Sequence, residues 1–275
     1  MTLTGDRTGR EYDLWTAGVL DRLPDRVGHA VVDGWRTDDG AVLVMRDLGD
    51  TVLGWEDRLT RGQWRFVVTR VAALHRTFLD DPPKGLASLD AVVGLFAPGR
   101  LREYADGANV LPGLALRGWQ IFAETVPAEV AEPVTELLED PTPLVLALQA
   151  RPCTLTHGDL ATVNMALEGD RLTLLDWSMP VAAPGALDLA RFIAGCASVV
   201  DVSREQMLED YREAAGPAYD EEAVRLALLA GLVWLGWNKA MDAAEHPDPE
   251  TRERERVDLD WWVDRAQRAL GAGLL

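Results

Sequence analysis

The stretch TLTHGDLATVNMALEGDRLTLLDWS, from Thr154 to Ser178, decides the fold. It reads as an apolar strand, a polar loop, a short hairpin, and a second apolar strand ending in an acid. The loop holds His157, Asp159 and Asn164, and the strand end holds Asp176. Two carboxylates and an amide gathered at a strand–loop–strand turn suit the handling of a magnesium-bound phosphate. Asn164 and Asp176 can supply hard oxygen ligands, while Mg²⁺ takes the remainder from water and phosphate. Asp159 is then free to accept the proton of an attacking hydroxyl. Any one of these residues alone could be an ordinary hairpin turn residue. Four polar residues in register across about twenty positions argue for the chemistry instead.

The spacing is H-x-D-x-x-x-x-N followed by an acid, the catalytic-loop pattern of protein kinases. In the form HGDL…N and then LLDW, it resembles the aminoglycoside phosphotransferase and choline kinase branch more than the protein kinases. That resemblance implies an α+β, protein-kinase-like fold, with a reduced N-lobe containing a β-hairpin and a mostly helical C-lobe. Residues 1–49 would form the N-lobe and 50–275 the C-lobe. The activity implied is ATP-dependent transfer of the γ-phosphate to a hydroxyl of a small molecule, with Mg²⁺ and ATP as cofactors. Asp159 would be the base, Asn164 and Asp176 the metal ligands, and His157 a support of the loop.

Upstream, GREYDLWTAGVLDRL (Gly9–Leu23) places apolar residues along one helical face, ended by Pro24. Two strand-like runs, HAVVDGW and AVLVM, follow around TDDG, a hairpin signal. Matched to the resembled family by order, Glu11 would be the acid that pairs a lysine. Met45 to Leu48, including Asp47, would be the hinge whose backbone meets the adenine edge. Glu11 could equally be a first-turn acid favoured by the helix dipole. Thr60 to Phe78 is an amphipathic helix with Trp64, Val67, Val68, Val71, Leu74, His75 and Phe78 in phase; His75 on that face is read as a hydrogen-bonded core histidine. Ser88–Tyr104 and Leu114–Thr125 are predicted helical, broken at Pro98–Gly99, and Ala128–Ala150 as two helices parted near Pro141 and Pro143.

Downstream, MPVAAPG is predicted to be an irregular loop before a helix starting near Ala186. Asp188, in PGALDLA, matches the family's acid that braces the catalytic loop through backbone amides. Helices are expected at Arg204–Ala215, Glu221–Glu245 and Glu250–Leu270. Trp234, Trp237, Trp261 and Trp262 there are read as core rather than pocket wall. Asp242, Glu245, Asp258 and Asp260 could meet a cationic substrate or simply be a solvated face.

Composition narrows the class. With 275 residues, 48% of them hydrophobic, the chain has ample core for one large domain or two unequal ones. A formal charge of −18 with only two lysines, Lys84 and Lys239, argues against nucleic-acid and membrane-surface partners and tolerates a cationic substrate. Two cysteines give no disulfide framework, and the N-terminus has no apolar signal core, so a cytoplasmic location is expected. The apolar run Ala223–Trp237 is too short for a membrane span.

The family's Gly-rich phosphate loop and its strand lysine are missing, Trp177 stands where Phe is usual, and eight residues precede Gly9. Arg7 lies too near the helix to replace that lysine. The expectation is that sequence upstream of Met1 encodes a Gly-rich hairpin and a lysine strand. Two alternatives to the phosphotransferase remain: a pseudokinase-like binding module, and a metal-assisted hydrolase.

Overall fold

The computed structural model describes residues 6, 9–38, 40–104 and 109–275; Arg7 lies outside them. The chain opens with α1 (Arg10–Thr16), β1 (Val27–Gly28), β2 (Val31–Thr37), β3 (Gly40–Met45) and α2 (Arg61–Thr77). Five helices follow: α3 (Leu89–Val93), α4 (Pro98–Arg102), α5 (Leu111–Thr125), α6 (Ala128–Glu139) and α7 (Thr142–Gln149). The deciding stretch supplies β4 (Thr154–Thr156), β5 (Met165–Glu168) and β6 (Arg171–Leu174), after which come β7 (Val181–Ala183), α8 (Ala186–Cys196) and α9 (Arg204–Ala215). The chain ends with α10 (Glu221–Glu245) and α11 (Pro249–Gly271). No helix is long and apolar enough to cross a membrane among the described residues.

Two compact units divide the chain. The first, Met1–Leu89 with Pro152–Asp220, contains every strand among the described residues. Its β5–β6 hairpin is extended by β1, which runs parallel to β6, while β2 pairs with β3 and β4 with β7, both antiparallel. The helix α2 begins on a capping box: Thr60 Oγ1 accepts from Gln63 N, and the Gln63 side chain accepts from Thr60 N. All seven residues read as its apolar face are buried. Trp64 stacks on Phe192 of α8 at 5.2 Å between ring centroids and donates its indole N–H to Asp210 of α9. Because β1 joins β6, the first 49 residues share a compact unit with the deciding stretch, so these units follow a different line from the lobe boundary drawn at residue 49.

The second unit, Asp90–Arg151 with Glu221–Leu275, is helical. Trp234, Trp237 and Trp262 are core residues there. Asp258 is buried against Lys239 Nζ at 2.6 Å, and Glu255 joins the same ammonium at 3.1 Å. Glu245 pairs with Arg117 at 2.7 Å, and Asp242 accepts from the Asn238 side chain. Three of the four acids considered for a cationic substrate thus have partners within this unit.

The structure corrects four local expectations. The first helix stops at Thr16 rather than Leu23, because Gly18 N and Val19 N close back on Trp15 O and Leu14 O at 2.9 Å each. Pro98 opens α4 instead of ending a helix, since at the first helical position its missing N–H costs nothing. The loop after Ser178 contains β7, and Val27–Gly28 forms β1; both are too short for any periodicity to announce them.

Candidate active site

The site is built on the loop between β4 and β5. Gly158 holds φ +80°, and a Cβ there would stand 1.8 Å from Met179 O, so the loop backbone can pass only with glycine. Asp188, fully buried on α8, receives the His157 amide N–H at 2.8 Å and the Gly158 N–H at 2.9 Å. It also meets His75 Nε2 of α2 at 3.0 Å, and His75 Nδ1 in turn lies 3.3 Å from the Tyr211 hydroxyl of α9. Burial alone would raise the Asp188 carboxyl; the His75 ring and the His157 amide outweigh it and hold the group below its ordinary range. His75 is therefore a core histidine with a task, locking the brace to two helices.

His157 is fixed from both ring nitrogens. Nε2 donates to Leu175 O at 2.8 Å and Nδ1 accepts from Asp159 N at 3.4 Å, a neutral tautomer assigned from this network. Its ring lies 4.8 Å from that of the fully buried Trp177. Asn164 donates its side-chain Nδ2 to Asp159 O at 2.8 Å and, more weakly, to Asp159 Oδ2 at 3.3 Å. The amide oxygen of Asn164 is left on the other side of the group. Asp176, at the end of β6, is exposed and sits in the left-handed region with φ +59°, where a non-glycine residue carries strain. Its Oδ1 accepts from Ser178 N at 3.3 Å.

Glu11 reaches the same strand end from α1. Its carboxylate accepts the Trp177 backbone N–H, lies near Asp176, and is nine-tenths buried with Oε1 lacking a hydrogen bond among the described residues. Burial first, and then the Asp176 charge, push its pKa up to about 7. Beside it Arg10 donates to Ser178 O, tying α1 to the segment after β6.

That shift has a stability consequence with a definite sign. A carboxyl raised on folding stabilises the native state below its unfolded value near 4.5, and this contribution is lost as pH climbs through about 7. The shift corresponds to ~3 kcal/mol at its fullest. The wild-type Tm is therefore expected to fall between about pH 5 and pH 7.5 relative to Glu11→Gln, whose neutral amide does not titrate. Thermal melts of both proteins across that range check it; parallel curves would refute the assignment.

The residues expected to form the hinge lie against the same hairpin. Leu48 packs with Ala30, Ala166 and Leu175, and Leu53 N donates to Met165 O at 2.9 Å. Arg46 forms a two-pronged contact with Glu168, which first that guanidinium and then Thr173 hold down to about 2. Met45 is exposed at the end of β3, while Asp47 Oδ1 caps Gly49 N at 2.9 Å.

Sequence reasoning missed Arg191. Its Nε and a terminal nitrogen lie 2.9 and 2.7 Å from Asp159 Oδ1. The signal was available: Asp188 and Arg191 are i, i+3 on one helix and therefore share a face, so a helix that braces positions 157 and 158 also presents position 191 to position 159.

No family model matches the sequence, and no curated protein matches it. Solved structures do. An aminoglycoside phosphotransferase from Streptomyces rimosus, in complex with ADP and streptomycin, is 18% identical, with a TM-score of 0.52 over 82% of this chain and 80% of its own. A Plasmodium vivax ethanolamine kinase is 13% identical, with a TM-score of 0.52 over 92% of this chain and 72% of its own. A choline kinase from Streptococcus pneumoniae is 16% identical, with a TM-score of 0.50 over 100% of this chain and 83% of its own. The chain has the α+β, kinase-like fold. Among solved structures, the ones it is similar to in fold include aminoglycoside phosphotransferases and choline and ethanolamine kinases, the group that the HGDL and LLDW motifs resemble.

Proposed function

We propose that this chain is a phosphotransferase that moves the γ-phosphoryl group of ATP to a hydroxyl of a small molecule. One observation carries the reading: Asp159 and Asn164 are linked side chain to backbone on a loop that Asp188 holds by two amides. Such a loop fixes a carboxylate and an amide oxygen before any substrate arrives, which is what positioning catalysis requires. The ADP and streptomycin bound by the Streptomyces structure support a nucleotide and a small hydroxylated acceptor.

In the proposed step the acceptor oxygen attacks the γ-phosphorus and the bond from that phosphorus to the bridging oxygen of ADP breaks. The hydroxyl proton passes to the Asp159 carboxylate. Asn164, through its amide oxygen, and Asp176, through its exposed carboxylate, would hold Mg²⁺. They fit it, being hard oxygen donors of the number that a phosphate-bound Mg²⁺ asks of a protein. When bound, the ion would neutralise charge on the phosphate oxygens. The backbone of Met45–Leu48 would meet the adenine edge, with residue 49 as the boundary between lobes. A strongly acidic chain suits a cationic acceptor, and a cytoplasmic location suits two free cysteines.

The Glu11 carboxylate favours a second reading, a pseudokinase-like module that binds without efficient transfer. A buried acid with one oxygen lacking a partner among the described residues is the place where a phosphate-binding cation is wanted, and Lys84 in this unit is exposed. Titration of MgATP by calorimetry, followed by phosphate transfer to a panel of amino sugars, choline and neutral sugars, separates the readings. Binding with transfer supports the first, binding without it the second, and no binding overturns both. Asp176→Ala should weaken MgATP binding at least tenfold, by loss of a charged ligand. The same metal dependence in wild type and variant would remove Asp176 from the metal site.

A further inference from the structure

The two oxygens of Asp159 are not equivalent. Oδ1 takes both contacts from Arg191, at 2.9 and 2.7 Å, whereas Oδ2 meets, among the described residues, only the long 3.3 Å approach of Asn164 Nδ2. Arg191 is buried on α8, its side chain 10% exposed against 28% for Asp159. Its guanidinium lies over the next helical turn, where a Cβ on Gly195 would stand 2.4 Å from a terminal nitrogen. Glycine one turn along is thus what lets the fork lie flat against its own helix and reach sideways to the loop.

Building on the phosphotransferase reading, we propose that Arg191 is a positioning residue for the candidate base. It saturates Oδ1 from the α8 side, so that Oδ2, beside Asn164, is the oxygen that receives the acceptor proton. A planar guanidinium does this better than an ammonium, because its two adjacent N–H groups fix the rotation of the carboxylate as well as its charge. Without the fork, the carboxylate turns about its Cβ–Cγ bond and the proton-accepting oxygen loses its direction. Misplacement of a reacting group by about 1 Å costs on the order of 100-fold in rate.

The test uses the full chain, with MgATP binding by calorimetry and MgATP hydrolysis with water as acceptor. Arg191→Met should lower kcat about 10–100-fold and leave KM for MgATP within about twofold. Arg191→Lys should recover part of the loss, and guanidinium ion added to Arg191→Ala should recover more than ammonium does. In an Asp159→Asn background, Arg191→Met should add no further loss in kcat, since its effect on transfer runs through the Asp159 carboxylate. If Arg191→Met does not fold, Gly195→Ala, which keeps the charge and crowds the fork, is read in its place. A folded Arg191→Met with unchanged kcat overturns the inference while leaving the phosphotransferase reading intact. Losses that multiply with those of Asp159→Asn do the same. A wild type that binds no MgATP overturns the phosphotransferase reading and this inference with it. A wild type that binds MgATP yet transfers phosphate neither to water nor to any acceptor of the panel removes Asp159 as base, and Arg191's role falls too.

Discussion

Asp159→Asn is expected to slow phosphoryl transfer about 10²–10⁴-fold while leaving MgATP binding within a few-fold of wild type. The amide keeps the size of the carboxylate but cannot take a proton. It can still accept from Arg191 at one position, so the loop should keep its course. The measurement is single-turnover transfer to whichever acceptor the panel reveals, together with calorimetric titration of MgATP. A variant that transfers at the wild-type rate would remove Asp159 as the base. A variant that also loses nucleotide affinity would show that the substitution had disturbed the loop, and Asp159→Glu would then be the cleaner probe.

The largest effect on stability is expected from Asp188→Ala. Its carboxylate takes two backbone N–H groups and the His75 ring in a site without solvent. Deleting it leaves three buried donors short of an acceptor and two helices without their common tie. Removing one side of such a buried charged network costs about 3–5 kcal/mol. For a chain of this size that corresponds to a fall in Tm of roughly 10 °C. Chemical and thermal unfolding of wild type and variant read it directly. A fall of less than about 3 °C would mean that the amides of 157 and 158 find another acceptor. Asp188→Asn should fall between the two, because an amide oxygen accepts but its NH₂ group must also be placed.

The site was legible in the sequence where the chain itself fixes the spacing. His157, Asp159, Asn164 and Asp176 lie on one strand–loop–hairpin; hydrogen bonds tie His157 to Leu175 O and Asn164 to Asp159 O, and Asp176 follows β6 directly after Leu175. The long helices were legible for a related reason: α2, α9, α10 and α11 carry apolar phase over several turns, and Thr60, Ser203 and Asp248 cap three of them. What escaped was set by partners distant in sequence. The strands β1 and β7 exist because β6 and β4 offer them edges. The pairing of Arg191 with Asp159 depends on where α8 lies against the loop. The Glu11 carboxylate, picked out only by its order in the chain, lies beside Trp177 and Asp176 through the docking of a seven-residue helix whose sequence says nothing of that neighbour.

The segment from Leu175 to Ala183 is held at nearly every step. Leu175 O receives His157, Trp177 N is taken by Glu11, Ser178 O by Arg10, Met179 O bears on Gly158, and Val181–Ala183 pairs with β4. Under the phosphotransfer reading, a stretch pinned from both sides presents Asp176 ready-made, so a nucleotide would meet order that the fold has already built rather than order it must itself impose on binding.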